Sequence, residues 1–81
     1  MKLPVTVNIK YIAESDMPIM TINSTHVITN ESDISILADY VNMFSSVSFL
    51  VDDIKAVITE CQSSHVLNIG NEIEWLSFSL T

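Results

Sequence analysis

The 81-residue chain sets ten carboxylates against three lysines and has no arginine, which gives a formal charge of −7. Binders of nucleic acid neutralise phosphates with clustered Lys and Arg, and Lys2, Lys10 and Lys55 are too few and too scattered for that, so nucleic acid and anionic membrane are poor direct partners. One domain is expected at this length; with 48% hydrophobic residues and only 16% charged ones to cover them, an exposed apolar patch should meet a partner or a second copy.

Residues 5–12 alternate Val5, Val7, Ile9 and Tyr11 against Thr6, Asn8 and Lys10, the period of a half-buried strand. Residues 13–17 then turn the chain. A second extended segment spans 18–28, with Ile19, Met20, Ile22, Val27 and Ile28 interrupted by Asn23-Ser24-Thr25, where a bend or bulge is expected. Asn30 followed three positions later by Asp33 is a helix cap, and Glu31 and Asp33 sit in the first turn, where the helix dipole favours them.

The helix that follows is expected over 31–46. Ile34, Leu37, Ala38, Val41 and Phe44 cover one arc, and Ile36, Tyr40, Met43 and Val47 widen it to roughly 220°, about twice what a surface helix needs. Such a helix predicts cover on two sides, and Ile36, Tyr40 and Met43 on its far edge are the candidate dimer or partner interface. A second helix over 49–62, capped by Ser46 or Ser48, has a single stripe of Leu50, Ile54, Val57, Ile58 and Cys61.

Two further strands, 65–69 and 73–80, flank the only glycine. A Gly70-Asn71-Glu72 loop would set Ile69 opposite Ile73 and Leu67 opposite Trp75. The last strand has apolar residues on both sides, Ile73 and Trp75 against Leu76, Phe78 and Leu80, so cover on both faces is expected there. The whole predicts an α+β domain in β-β-α-α-β-β order, an antiparallel sheet of about four strands with two helices packed on it in two layers.

Little in the chain carries chemistry. Cys61 and His65 have the i, i+4 spacing of a nucleophile and base or of two metal ligands, but Cys61 lies within the apolar stripe, where a thiol is an inert small hydrophobe, and Ser63-Ser64 end the helix before His65. His26 is a third possible ligand, but one Cys and two His without paired spacing make no zinc site, so no metal and no cofactor are expected. Asp52-Asp53 are explained by the helix dipole. One glycine rules out a phosphate-cradling loop. The single cysteine permits no internal disulfide and suits a reducing, cytoplasmic setting; no secretory signal or membrane-spanning run is visible.

Glu14, Asp16, Asp39, Glu60, Glu72 and Glu74 are left without a structural duty. Unpaired acids repel one another, so a positive partner is expected to supply the missing charge, with Glu14, Asp16, Glu60, Glu72 and Glu74 as its contacts. The function read from this is not enzymatic. It is inhibition or regulation by protein–protein contact, in which a homodimer blocks a basic nucleic-acid-binding site on a protein such as a nuclease or CRISPR complex. Small acidic proteins of phages and mobile elements supply the class-level analogy. The alternatives are an immunity protein or antitoxin for one cognate toxin, and a structural or adaptor subunit.

Overall fold

The computed structural model describes residues 2–14 and 19–81. Its elements are β1 (Val5–Ala13), β2 (Met20–Ile28), α1 (Glu31–Asn42), α2 (Val51–Ser64), β3 (Val66–Gly70) and β4 (Glu74–Leu80). The strands form one antiparallel sheet in the order β2-β1-β4-β3, an α+β fold with the expected element order. The strands nearest the chain's two ends thus lie side by side in the middle of the sheet. Most of residues 13–17, where the first turn is expected, lie outside the described residues, as does the start of the 18–28 segment.

Both helices lie on one face. α1 packs on β2 and on α2, and α2 packs on β3 and β4. The alternation of β1 sends Val7, Ile9 and Tyr11 to that face and Thr6, Asn8 and Lys10 to the other, and β4 matches it with Leu76 and Phe78 inward. α1 contributes Ile34, Leu37, Ala38 and Val41, and α2 contributes Ile54, Val57, Ile58 and Cys61. Each large aliphatic side chain fully removed from water contributes roughly 1.5–3 kcal/mol, so the two helical stripes hold the layers together.

Five local details differ from the sequence expectation. Asn23-Ser24-Thr25 makes no bulge: β2 pairs with β1 without a break from Met20↔Ala13 to Ile28↔Val5. These residues are polar because Asn23 and Thr25 face the uncovered side of the sheet, not because the chain bends there. α1 ends at Asn42 rather than 46, since the Asn42 side chain leaves the helix pattern to bond the backbone of Phe49, accepting from its N–H and donating to its C=O, both at 2.8 Å. The cap of α2 is Leu50, not a serine, and Asp53 accepts the Leu50 N–H at 2.8 Å, one half of a capping box.

The fourth difference is the β3–β4 register. Gly70 pairs with Trp75, Ile69 with Leu76 and Leu67 with Phe78, so the loop is longer than a Gly70-Asn71-Glu72 turn. The offset from the expected pairing is an odd number of residues, which exchanges the faces. Leu67 and Ile69 therefore join Leu76 and Phe78 in the core. Asn71 shapes the loop, its Oδ1 accepting from Ile73 N–H at 2.9 Å and Glu74 N–H at 3.0 Å. Gly70 is required at φ +138, because a Cβ there would clash with the Glu74 carbonyl oxygen. Cover on both faces of β4 is likewise not found among the described residues: Trp75 is half-buried beside Ile12 on the open side, and Ile73 lies in the loop, 54% exposed.

Asn42 closes the connection between the helices, so Asn42→Leu should lower stability by about 2 kcal/mol, the sum of two backbone hydrogen bonds at roughly 1 kcal/mol each. A denaturant titration with an unchanged slope would measure it. Loss of less than a quarter of that value would show that water takes over both Phe49 groups.

Candidate functional site

The two faces of the molecule differ in charge. Across the open face the cross-strand rows are Thr25, Asn8, Ser79 and Val66, then Asn23, Lys10, Ser77 and Asn68, then Thr21, Ile12, Trp75 and Gly70. Lys10 is the only charged residue among them. Sheet twist makes the middle of this face a shallow saddle of about 570 Å³ lined by Asn8, Lys10, Asn23, Thr25, Ser77 and Ser79. The described carboxylates all lie elsewhere: Glu31, Asp33 and Asp39 on α1, Asp52, Asp53 and Glu60 on α2, and Glu14, Glu72 and Glu74 where β1 ends and β4 begins.

Several of these acids hold the fold. Glu31 bridges the helices through Lys55 at 2.7 Å, and this pairing lowers the glutamate's pKa and raises the lysine's. Asp33 accepts from the Thr29 N–H at 2.9 Å and hydroxyl at 2.7 Å, which hold its carboxyl below the usual range, while Asn30 caps the Asp33 N–H. These contacts give the first-turn acids specific partners beyond the helix dipole.

Glu74 departs from the sequence expectation. It is not a free surface acid: its side chain accepts the Ser46 N–H at 3.0 Å and the Ser46 hydroxyl at 2.7 Å, anchoring the connection between the helices to the start of β4. Those two bonds lower its pKa, and the carboxylate in turn helps raise that of Tyr11, whose hydroxyl is buried beside it. Burial is the larger cause at Tyr11. Glu74 is therefore a structural residue, and nothing in the sequence pattern marks it, because Ser46 lies 28 positions away.

The other candidate contacts are dispersed. Glu14 and Glu72 come together at one end of the sheet, where the Glu14 N–H donates to the Ile73 carbonyl at 2.6 Å. Asp16 lies outside the described residues. Glu60 stands on the last turns of α2, which lead into the start of β3, the far end of the sheet from Glu14. Of the apolar candidates, Ile36 is 63% and Met43 81% exposed, whereas Tyr40 is half-buried between His26 and Phe44, with ring centroids 4.8 and 5.3 Å away. Tyr40 thus packs first within its own chain and cannot be a wholly free interface residue.

Cys61 and His65 do not form a pair. Cys61 is fully buried and directed at the Phe78 carbonyl, and burial, with the charge of Glu60, raises its pKa. His65 is exposed beyond the helix end in a left-handed conformation at φ 71, its N–H closing the last turn on the Cys61 carbonyl. His26 is on β2, bonded to the Ser24 hydroxyl at 2.8 Å, with its pKa lowered by burial. No cluster of three metal-ligating side chains occurs among the described residues, and no helix among them is long and apolar enough to cross a membrane. No family model, curated protein or solved structure matches the chain.

Because the folded pKa of Glu74 is depressed, its contribution to stability is complete above the ordinary glutamate value of 4.5 and is lost as pH falls through the lower folded value. Glu74→Gln should therefore unfold at lower denaturant than the wild type at neutral pH, and the gap should close on acidification. A gap independent of pH would assign the effect to shape rather than charge. At Cys61, the native thiol should resist a thiol reagent until the protein unfolds, and Cys61→Ala should cost only about 1 kcal/mol through a small cavity; rapid labelling of the folded protein would contradict this.

Proposed function

We propose that this protein is a small acidic inhibitor or regulator that works by protein–protein contact, as a homodimer, and presents its carboxylates to a basic surface of its partner. The target class is a host nuclease or CRISPR complex, whose nucleic-acid site is the kind of basic surface such a molecule would occupy. The observation that carries the reading is the segregation of charge. Glu31, Asp33, Asp53 and Glu74 have partners within the fold, but Glu14, Asp39, Asp52, Glu60 and Glu72 stand exposed at the helical layer and at one end of the sheet, and the open face has no carboxylate among its described residues.

A molecule charged on one side carries a directional field. That field speeds encounter with a basic site, orients the approach, and repels the phosphates that would otherwise bind there. Glu14 and Glu72 are the pair that the fold places together, so they are assigned the closest contact, with Asp39 and Glu60 steering from the helices. The role is one of binding rather than catalysis.

Against a basic nucleic-acid-binding protein whose activity is inhibited, Glu14→Lys/Glu72→Lys should weaken binding by about 2 kcal/mol, roughly thirtyfold. Asp39→Lys/Glu60→Lys should chiefly slow association and flatten its salt dependence. Unchanged binding and inhibition by both variants across a salt series would leave the charge serving solubility alone, and the inhibitor reading would give way to an adaptor.

A further inference from the structure

β2 forms one edge of the sheet and has no charged residue, proline or glycine along its nine residues. Edges of monomeric sheets are guarded by short strands, lysines, prolines or bulges, because their free N–H and C=O groups template another strand. The opposite edge is guarded: β3 is five residues long and ends on Gly70. β2 has no such device, and its unbroken register with β1 leaves a full-length row of backbone groups facing outward. α1 packs on this edge strand, with the Tyr40 ring against His26, and leaves Ile36 and Met43 exposed on its outer side. Met20 and Val27 of β2 are also more than half exposed.

We infer that β2 pairs antiparallel with β2 of a second copy, joining two four-stranded sheets into one continuous sheet and setting α1 beside its own copy. This deepens the homodimer part of the function proposed above and is independent of what the partner is. Charge argues for a copy as the occupant. β2 carries no carboxylate, so two chains at −7 can pair along it without setting acids opposite one another in the strand register.

Self-complementarity argues the same way. Overlap of all nine residues puts Ser24 on the two-fold axis, since Met20 then meets Ile28 and Ile22 meets His26 on the helix side, while Thr21 meets Val27 and Asn23 meets Thr25 on the open side. No like charges oppose one another in that register.

Sedimentation over the micromolar range, with no partner present, tests this. The wild type should be a dimer. Asn23→Lys/Thr25→Lys sets like charges directly opposite across the axis and should weaken association roughly tenfold or more with an unchanged circular dichroism spectrum; Val66→Lys/Asn68→Lys, which adds the same charge to the other edge, should remain dimeric. A monomeric wild type at high micromolar concentration overturns the homodimer altogether. A dimer lost with the β3 variant but kept with the β2 variant overturns the β2 interface alone. Hydrogen exchange on the wild type decides the matter should a lysine variant not fold: β2 amides should gain protection as concentration rises, and protection that does not change with concentration overturns the inference.

Discussion

The pairing of β1 with β4 is the contact on which the rest depends. It joins strands from opposite ends of the chain, from Val7↔Leu80 to Ala13↔Glu74, and makes both of them central. Closing so long a loop costs entropy that local contacts do not return. What offsets it is the core that the pairing assembles: Ile9 opposite Phe78 and Tyr11 opposite Leu76, which joins the side where α1 packs on β2 to the side where α2 packs on β3 and β4. Once this register is set, the strict alternation of a strand decides which side chain of all four strands is inside and which is not.

One-sided cover then accounts for the composition. A single helical layer leaves half of every strand facing away from the core, and those positions are Asn, Ser and Thr for the most part, which bond water and one another, as Thr25 does with Asn8 at 2.9 Å. Few charges are therefore needed on the sheet. The carboxylates gather on the helices and at the β1–β4 end, and the net charge of the sequence becomes a charge with a direction.

The connection between the helices shows why counting surface acids misjudges their purpose. Asn42 holds its far end through Phe49, Glu74 holds its middle through Ser46, and Glu31 and Lys55 tie the helices it joins. Loss of the Asn42 or Glu74 contacts leaves backbone groups of Phe49 or Ser46 without those partners, whereas the Glu31–Lys55 pair is exposed to solvent and contributes less. An acid that does this is committed to the fold; only the others are free to meet a partner.

The order and type of the six elements, the inward residues of β1 and most of both helical stripes were legible in the sequence, because each follows from a period within one segment: two for Val7, Ile9 and Tyr11, 3.6 for Ile54, Val57, Ile58 and Cys61; Leu50, expected in the α2 stripe, is instead its exposed cap, and Phe44 lies beyond α1. The inert setting of Cys61 was legible for the same reason. What only the tertiary structure decided is whatever depends on a contact between distant segments. The β3–β4 register turned on which face Leu76 and Phe78 shared with β1, and the duty of Glu74 on a serine 28 residues away. The wide α1 stripe was a misreading: Met43, Phe44 and Val47 lie beyond the helix, Tyr40 packs on His26 and Phe44, and Ile36 and Met43 stay in the open opposite the buried stripe, because periodicity reports that a side chain is apolar and not what covers it.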